Sequence, residues 1–406
     1  MPISYPSQER RAVLMITGAT GMLGQALIQH LYTLHHSAHL PWQVVAVSRS
    51  PRPLWLPESW HWLIGNITDA HWLKPLLATY APQAIIHTVA CVDLVACEAD
   101  PLMAYHVNTY PVGILSEYSQ RTGATLLQIS TDHYYQGEDD TRHHEQEDVV
   151  LVNEYARTKF LAETLALQAP HSWVIRTNIV GHRHAIEPWC KTPPSSLHPF
   201  KIASHQTAVS PSQKPTFLSW LETALRQATP AAPVKLFHDY YTSSVDVHFL
   251  ARWLIGWTAR YTTLSQSLTD HPFISSYTSH TPKNESWNPL KSQFLSELGA
   301  SCKLFHTMPI SSTHQRILNV ASRQVSSKLS FGKLYAQMVL GYELETLQTL
   351  IEPISIHAIP TQGVQRATSL GLDTSWVEHC FPDMPACPSL LDVIEAFRPE
   401  ITPIAV

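Results

Sequence analysis

Three side chains in the first half of the chain have the types and spacing needed to protonate a carbonyl oxygen. Thr131 follows a short apolar run, and Tyr155 and Lys159 lie four residues apart in the next helical pattern. Residues four apart share one face of a helix. A free phenol has a pKa of about 10, and a neighbouring ammonium lowers that pKa. We therefore expect Lys159 to activate Tyr155 as the proton-transferring group, with Thr131 orienting the carbonyl.

A glycine-rich segment near the start of the chain predicts a dinucleotide site. Gly18, Gly21 and Gly24 lie between an apolar run and an amphipathic segment, in a chain that has only 14 glycines. Glycines at a strand-to-helix junction allow a tight turn, the approach of backbone N–H groups to a pyrophosphate and close helix packing. The G-x-x-G-x-x-G spacing indicates the short-chain dehydrogenase class. In such a site Lys159 could also hold the ribose hydroxyls of a nicotinamide.

The residues after the second strand favour NADP(H) over NAD(H). Ser48 and Arg49 stand where an NAD-binding domain has an acidic residue for the ribose hydroxyls, and an arginine can hold a 2′-phosphate. After the third strand, Asn66 and Ile67 are expected beside the adenine. The predicted cofactor-binding residues are Gly18, Thr20, Gly21, Met22, Leu23, Ser48, Arg49, Asn66, Ile67, Ala90, Tyr155 and Lys159.

These residues require a parallel sheet with crossover helices. Short apolar runs alternate with helical patterns up to Arg176, which is typical of an α/β fold. We predict a Rossmann-type, doubly wound parallel sheet with a smaller C-terminal substrate lobe. The predicted strands are Val13–Ile16, Val44–Val47, Trp62–Ile64, Ala84–His87, Leu126–Ile129 and Trp173–Arg176, and the predicted helices are Leu23–Leu34, Trp72–Tyr80, Met103–Arg121 and Tyr155–Leu167.

The predicted domains are an NADP-binding Rossmann domain over 10–180 and a mostly substrate-binding lobe over 181–406. Elements near 247–257 and 315–322 are expected to return to the first domain. Residues 186–215 read as a loop and connection, and 261–313 as an insertion with little periodicity. The other predicted elements are the helices Phe217–Arg226, Val247–Trp257 and Phe331–Leu340 and the strands Val234–Phe237 and Ile317–Val320.

Composition narrows the function classes. A formal net charge of −5 indicates no basic surface, which argues against a nucleic-acid partner. Neither a signal peptide nor a long apolar run is evident, so we expect a cytoplasmic protein without a membrane span. The six cysteines lack a C-x-x-C pair and read as free thiols. His35, His36 and His39 are better explained as a polar helix end than as metal ligands, and no metal is predicted.

With these motifs in place, the chain resembles the dTDP-4-dehydrorhamnose reductases, which are extended short-chain dehydrogenases/reductases. The Ser-Thr-Asp and Tyr-Gly-Lys-Thr-Lys motifs of that family correspond to 130–132 and 155–159 here. Its late motif looks like 366–375, where Arg366 is the candidate for gripping the diphosphate of a nucleotide-sugar substrate. The family's Asn-Ala-Ala-Ala after the fourth strand is replaced by His87, Thr88, Val89 and Ala90. These four residues would lie under the bound cofactor and are called the cofactor floor. The bulkier Thr88 and Val89 could reduce the space there for the cofactor.

The resemblance implies an NADPH-dependent reductase of a nucleotide-linked 4-keto-6-deoxysugar, acting in dTDP-rhamnose biosynthesis. A nucleotide-sugar dehydratase or epimerase is an alternative, although dehydratases follow the threonine with Asp-Glu and this chain has Asp132-His133. The chain also resembles the regulatory β subunit of methionine adenosyltransferase, which binds NADP while serving a partner enzyme. The oligomeric state stays open, with a homodimer as one alternative.

Overall fold

The computed structural model describes residues 11–137, 139–191, 214–262, 316–359 and 363–398. Its strands are β1 (Ala12–Thr17), β2 (Trp42–Ser48), β3 (His61–Ile64), β4 (Ala84–His87), β5 (Thr125–Ile129), β6 (Arg142–His143), β7 (Ser172–Arg176), β8 (Ile179–Val180), β9 (Val234–Phe237), β10 (Tyr241–Thr242), β11 (Val245–Asp246), β12 (Ile317–Asn319), β13 (Ser326–Ser327), β14 (Ile351–Ile354) and β15 (Ser369–Leu372).

The helices of the described residues include counterparts of the predicted ones and several short helices that were not predicted. They are α1 (Met22–His36), α2 (Ala70–Tyr80), α3 (Leu94–Ala99), α4 (Pro101–Asn108), α5 (Tyr110–Thr122), α6 (Glu154–Ala166), α7 (Ile186–Lys191), α8 (Phe217–Gln227), α9 (Val247–Tyr261), α10 (Lys328–Met338), α11 (Leu344–Leu350), α12 (Ser375–Cys380) and α13 (Leu390–Glu395).

Seven strands pair in parallel to form the central sheet, in the order β12-β7-β5-β4-β1-β2-β3. Successive side chains of a strand point to opposite faces of a sheet. Leu14 and Ile16 of β1 therefore pack on the face that carries α1 and α9, whereas Met15 packs with residues of α2, α5 and α6 on the other face. Because both faces are covered, most side chains of the inner strands are apolar and buried. The predicted Rossmann-type fold class is confirmed.

Two of the later elements contact the central sheet or a helix that covers it. Strand β12 extends the sheet by pairing with β7, and α9 packs against α1. The remaining elements build a smaller layer with its own core, centred on α8, β9, α10 and β14. Its main sheet has the order β13-β10-β15-β6, in which β15 carries the late motif.

The predicted helix Met103–Arg121 is wrong in one respect, because the structure has two helices there. Helix α4 ends at Asn108 and α5 begins at Tyr110. Pro111 explains the break, since proline lacks an N–H and its ring clashes with the carbonyl four residues earlier in a continuous helix. The break has a consequence for packing, because the Asn108 side chain is fully buried next to the loop that follows β4.

Two expectations fall partly or wholly beyond the described residues. Of the segment 186–215, the structure describes helix α7 and the residues from 214 onward, so the start of the expected loop is helical. The expected insertion 261–313 lies outside the described residues from 263 onward. None of the helices in the described ranges is long and apolar enough to cross a membrane. The same residues contain no cluster of three or more His, Cys, Asp or Glu side chains placed to hold a metal ion.

Candidate cofactor and catalytic site

The glycine loop joins β1 to α1 at the carboxyl edge of the sheet. Gly18 has φ +76°, a left-handed conformation that residues with a side chain rarely adopt. At Gly24, a Cβ atom would lie 2.1 Å from the carbonyl oxygen of Gly18, so only glycine lets α1 approach the loop this closely. The two positions therefore require glycine for different physical reasons, as the sequence predicts.

The N-terminus of α1 suits an anion. Gly21 occupies the N-cap position, and no side chain caps the helix there. The first turn also contains no acidic residue. The helix dipole and the N–H groups of the first turn are consequently not neutralised by the chain, and such a terminus binds phosphate groups.

The loop is fixed to the end of β2, where cofactor choice is expected to be made. The N–H groups of Gly18 and Ala19 donate to the Val47 carbonyl oxygen at 3.0 and 3.1 Å. The hydroxyl oxygens of Thr20 and Ser48 lie 3.0 Å apart. Arg49 follows directly and is exposed, and its guanidinium has no hydrogen bond or ion pair within the described residues. An unpaired arginine beside the loop fits the predicted contact with a 2′-phosphate.

Of the two residues expected beside the adenine, one has an exposed side chain and the other a buried one. Asn66 is exposed, and its Oδ1 accepts a hydrogen bond from the Thr68 N–H at 3.2 Å. Ile67 is 5% exposed and packs in the core with Met15 and Val45. Leu23 is also buried in the core, so the group it offers to a cofactor is its backbone N–H.

The floor of the predicted cofactor site is filled by the residues after β4. A Cβ atom at Gly18 would lie 2.6 Å from Thr88 Oγ1 and 3.1 Å from Val89 Cγ2, so both side chains press against the loop. Thr88 Oγ1 donates to the Thr17 carbonyl oxygen at 2.7 Å. His87 is fully buried, with Nδ1 2.7 Å from Thr17 Oγ1, and its Nε2 has no hydrogen-bond partner among the described residues. Burial and the charge of Lys159 lower the His87 pKa to about 3, which keeps the imidazole neutral.

The glycine loop, the uncapped helix end and Arg49 together fit a phosphorylated dinucleotide. Ala90, the last residue of the floor, is only partly buried, as a cofactor-contacting residue should be. The Nε2 atom of His87, which lacks a hydrogen-bond partner in the described part of the chain, lies at the carboxyl edge of the same sheet, where it could hydrogen-bond to a polar group of a ligand. The residues present are therefore compatible with NADP(H).

Thr131, Tyr155 and Lys159 are brought together by β5 and α6. Thr131 follows the end of β5, and the side chain of Asn153 caps α6 by accepting from the Ala156 N–H at 2.8 Å. Tyr155 is 7% exposed, and Thr131 is close enough for its hydroxyl to lower the Tyr155 pKa. The Lys159 ammonium donates to the Ile129 carbonyl oxygen at 2.7 Å. The structure thus positions all three side chains at the end of one strand.

The predicted lowering of the Tyr155 pKa is wrong for the protein without a cofactor. Burial raises the pKa of Tyr155, the hydrogen bond from Thr131 lowers it, and the charge of Asp132 raises it further. Burial also lowers the Lys159 pKa to about 8, and the Glu163 carboxylate partly offsets that shift. Desolvation disfavours every charged form and here exceeds the effect expected from the ammonium. Tyr155 therefore stays a phenol, which is the form that gives a proton.

Asn108 makes three hydrogen bonds around the loop that follows β4. Its Oδ1 accepts from the Cys91 N–H at 2.6 Å, and its Nδ2 donates to the Cys91 carbonyl oxygen at 3.1 Å and to Thr158 Oγ1 at 2.9 Å. These bonds fix the loop after β4 to the helix pair α4 and α6. Asn108 therefore helps to hold the residues after β4 in place.

Asp132, which follows Thr131, has a buried carboxylate for which the sequence motifs predict no role in catalysis. Asp132 is 1% exposed, and its Oδ1 accepts a hydrogen bond from Thr131 Oγ1 at 3.4 Å. Its Oδ2 accepts from Asn178 Nδ2 at 2.7 Å. Burial raises the Asp132 pKa to about 7, whereas the bond from Asn178 and the charge of Lys328 lower it.

Lys328 reaches the same network from the second layer. Its ammonium donates to Thr242 Oγ1 at 3.3 Å, and the Thr242 and Ser244 hydroxyl oxygens lie 3.1 Å apart. Ser244 Oγ in turn donates to Asn178 Oδ1 at 2.6 Å. A continuous chain of hydrogen bonds therefore runs from Lys328 to Asp132. No local pattern could reveal it, because Asn178 and Lys328 lie 46 and 196 positions beyond Asp132.

His133 and Arg366 complete the surroundings of Tyr155. The rings of His133 and Tyr155 meet edge to face at 5.5 Å, and His133 Nδ1 is buried without a partner in the described part of the chain. Burial and the charges of Lys328 and Arg366 lower the His133 pKa to about 4. Arg366 is exposed, and within the described ranges the hydrogen bond it makes is through its backbone carbonyl oxygen, which accepts from Gln136 at 3.3 Å. Its side chain is therefore available to a substrate.

Comparison with known proteins shows which families this chain is similar to. Residues 12–186 match the family model of the RmlD substrate binding domain. The "Probable low-salt glycan biosynthesis reductase Agl14" of Haloferax volcanii is 28% identical over 166 residues, which are 41% of this chain and 52% of that protein. Methionine adenosyltransferase 2 subunit beta of Rattus norvegicus is 27% identical over 168 residues, 41% of this chain and 45% of that protein. The chain spans about half the length of the curated relatives it matches.

A solved structure matches over nearly the whole chain. The crystal structure of dTDP-4-dehydrorhamnose reductase from Bacillus anthracis in complex with NADP superposes with a TM-score of 0.61. The match covers 96% of this chain and 99% of that one at 16% sequence identity, so it shows a shared fold. The resemblance expected from the motifs is confirmed: over residues 12–186 this chain is similar to the RmlD substrate binding domain family.

Proposed function

We propose that this chain is an NADPH-dependent reductase of a nucleotide-linked 4-keto-6-deoxysugar of the dTDP-4-dehydrorhamnose type. One observation carries the proposal: the buried Tyr155 phenol, whose pKa burial raises, lies with Thr131 and Lys159 at the sheet edge that carries the glycine loop. The similarity to the RmlD family and the NADP complex of the Bacillus anthracis reductase support the cofactor and the substrate class. The cytoplasmic location and the homodimer stay predictions from the sequence.

In the proposed reaction, the chain supplies the proton and the orientation. When bound, NADPH supplies the hydride that C4 of the sugar receives. Thr131 orients the carbonyl through a hydrogen bond, and Tyr155 gives its hydroxyl proton to O4 as the carbonyl becomes a hydroxyl group. Lys159 holds the ribose hydroxyls of the cofactor, and Arg366 holds the diphosphate of the substrate. A dehydratase is disfavoured, because Asp132 is followed by a histidine that burial keeps neutral.

The test is to mix purified protein with NADPH and a panel of dTDP-4-keto sugars and to follow the absorbance of the cofactor. We expect turnover in the wild type and a loss of roughly 100-fold or more in Tyr155→Phe, since general acid catalysis contributes about 10²–10⁴-fold. NADPH binding should be retained in that variant. Tyr80→Phe, which removes a hydroxyl at the far end of α2, is the matched control and should keep full activity.

A non-catalytic, NADP-binding regulatory subunit is the second candidate. The similarity to methionine adenosyltransferase 2 subunit beta favours it, as does the contact of Thr88 and Val89 with the glycine loop, which narrows the floor. The same experiment separates the two functions. Tight NADPH binding without oxidation by any member of the panel would contradict the reductase and favour the regulatory subunit.

A further inference from the structure

Thr131 has one hydroxyl proton and two candidate acceptors for it. In the proposed function, on which this inference rests, the Thr131 hydroxyl donates to the carbonyl oxygen of the substrate. In the structure, Thr131 Oγ1 lies 3.4 Å from Asp132 Oδ1 and accepts from the His133 N–H at 3.2 Å. An ionised carboxylate can only accept hydrogen bonds. An ionised Asp132 therefore takes the proton that the substrate carbonyl needs.

The other carboxyl oxygen of Asp132 is committed as an acceptor. Asn178 Nδ2 donates to Asp132 Oδ2 at 2.7 Å, and Ser244 Oγ donates to Asn178 Oδ1 at 2.6 Å. Because a serine has one hydroxyl proton, Thr242 is the donor in its 3.1 Å bond with Ser244. Lys328, whose ammonium can only donate, begins the chain of hydrogen bonds 3.3 Å from Thr242 Oγ1. All donors thus point towards Asp132, and the amide nitrogen of Asn178 faces Oδ2.

This order decides which oxygen of a neutral Asp132 carries the proton. A carboxylic acid has one O–H group, and its other oxygen remains an acceptor. Since Asn178 donates to Oδ2, the proton of a neutral Asp132 belongs on Oδ1, the oxygen next to Thr131. The bond between Oδ1 and Thr131 Oγ1 then runs from the acid to the hydroxyl. The Thr131 proton is left free to turn to a ligand.

The surroundings of Asp132 favour its neutral form. The side chain is 1% exposed, and no lysine or arginine of the described residues forms an ion pair with it, whereas His133 Nε2 lies 3.9 Å from Oδ1. A buried carboxylate without a cationic partner tends to take up a proton. Burial raises the Asp132 pKa to about 7, although the bond from Asn178 and the charge of Lys328 lower it. Burial and the charges of Lys328 and Arg366 lower the His133 pKa to about 4, so the imidazole adds no charge at neutral pH.

The other titratable groups around Asp132 come from three parts of the fold. Tyr155 is on α6, Tyr240 precedes β10, and Lys328 begins α10. Burial raises the pKa of both tyrosines, and the charge of an ionised Asp132 raises it further. Burial lowers the Lys328 pKa to about 8, and the charge of Asp132 partly offsets that shift. Asp132 is therefore the first of these four groups to lose a proton as pH rises through neutrality.

We propose that Asp132 is a positioning residue, whose neutral carboxyl group turns the Thr131 hydroxyl towards the substrate carbonyl. The acid donates from Oδ1 to Thr131 Oγ1, Thr131 donates to the carbonyl oxygen, and Tyr155 remains the group that gives its proton. When Asp132 ionises, Thr131 donates to the carboxylate instead, and the carbonyl loses one of its two donors. The chain of hydrogen bonds from Lys328 to Asn178 keeps the Asp132 proton on the oxygen next to Thr131. Reduction should therefore slow as pH rises through the ionisation of Asp132.

The pH profile of kcat, measured with saturating NADPH and ketosugar, tests this role. In the wild type we expect kcat to fall above about pH 7, towards a level about 100-fold lower, since one donor to an oxygen that gains charge contributes about 10²–10³-fold. Asp132→Asn can place an N–H group opposite Thr131 and an oxygen opposite Asn178, as the neutral acid does, but it cannot ionise. The fall should then begin only near pH 8, where Lys159 loses its charge.

A second variant changes the profile from the far end of the chain of hydrogen bonds. The Lys328 charge lowers the Asp132 pKa, so Lys328→Met should move the fall in kcat to higher pH. Methionine can keep the contact with the Phe217 ring, over which the ammonium lies at 5.0 Å. Lys333→Met makes the same change later in α10 and should keep the wild-type profile.

Infrared difference spectra of the full chain between pH 5 and 9 need no turnover. We expect the C=O band of a protonated carboxyl group at low pH that is absent from Asp132→Asn. Glu145, whose pKa burial also raises to about 7, gives a second band that this variant keeps. In Thr131→Val the Asp132 band should move to higher frequency, because the acid loses the hydroxyl that accepts its hydrogen bond. Thr79→Val, at an exposed position of α2, should leave both bands unchanged.

Three results would overturn the proposal. The first is the absence of a carboxyl band that depends on Asp132, and the second is a band that Thr131→Val leaves in place. The third is a fall in kcat with the same midpoint in the wild type and in Asp132→Asn. An unchanged midpoint in Lys328→Met would remove Lys328 from the positioning chain. Absence of turnover would contradict the proposed reductase, and the infrared bands would still decide whether Asp132 donates to Thr131.

Discussion

At the scale of single residues, burial controls the chemistry of the site more than neighbouring charges do. Tyr155 and Lys159 both shift toward their uncharged forms, because desolvation dominates both pKa values. A neutral phenol suits proton donation to an oxygen that gains charge during reduction. Arg49 is the contrasting case, since it is exposed and keeps its charge free for a ligand.

Arg49→Glu should weaken the binding of NADPH more than that of NADH. A hydrogen bond to a charged group contributes about 1.5–3 kcal/mol, so we expect roughly a tenfold to hundredfold loss for NADPH and little change for NADH. Titration of cofactor fluorescence measures both affinities. Arg121→Glu makes the same charge change at the exposed end of α5, away from the carboxyl edge of the sheet, and should affect neither cofactor. Equal losses for the two cofactors in Arg49→Glu would rule out the phosphate contact.

At the scale of the elements, the glycine loop depends on how closely α1 approaches it. Gly24 is in the first turn of α1, within contact distance of the loop backbone. Gly256 is also inside a helix, α9, but a Cβ atom at that position would lie 3.6 Å from its nearest neighbour, Met384 Cε. The same substitution should therefore have opposite effects at the two positions.

Gly24→Ala should lower the free energy of unfolding and abolish NADPH binding, because the new Cβ would lie 2.1 Å from the Gly18 carbonyl oxygen. Gly256→Ala should raise the free energy of unfolding by about 0.4–1 kcal/mol, since alanine fits there and restricts the unfolded chain. Urea denaturation and cofactor titration of both variants provide the measurement. A Gly24→Ala protein with unchanged affinity would show that close helix approach is not needed for binding.

At the scale of the whole molecule, a chain of hydrogen bonds connects the catalytic residues to the second layer. Asp132 accepts from Thr131 on one side, and on the other it ends a series formed by Lys328, Thr242, Ser244 and Asn178. The Asp132 carboxylate therefore accepts one hydrogen bond from Thr131 and one from Asn178, the last residue of the series that begins at Lys328. A His133 ring nitrogen also lies 3.9 Å from its Oδ1.

Asp132→Asn should change how stability depends on pH. The Asp132 pKa is raised from 3.8 to about 7, so the folded protein keeps a proton between these values that the unfolded chain has lost. The free energy of unfolding therefore falls as pH rises through this window, by about 1.4 kcal/mol per unit of pKa shift. Asparagine removes this contribution while keeping the shape of the side chain.

Denaturant unfolding of wild type and variant at pH 4.5 to 8 provides the measurement, with the difference between the two proteins compared at each pH. We expect the variant to gain stability relative to the wild type as pH rises, with the gain levelling off above about pH 7. A difference that is constant over this range would mean that Asp132 is already ionised in the folded protein at low pH. Comparison at each pH cancels the titration of the 24 histidines.

The chain order of strands and helices, the glycine loop and the shared helix face of Tyr155 and Lys159 could be predicted from the sequence. These features depend on local periodicity and on residues close together along the chain, which the sequence records directly. The break at Pro111 could also have been predicted, since proline disfavours a continuous helix, but the strong apolar pattern around it obscured the signal.

Only the tertiary structure decided the direction of the Tyr155 pKa, the hydrogen bonds of Asn108 and the network around Asp132. Each depends on burial or on contacts between segments far apart along the chain, as between Asp132 and Lys328. Desolvation arises when many distant residues exclude water together, so no short motif encodes it. The sequence alone therefore determined which residues could do chemistry, and the fold decided their protonation states and their partners.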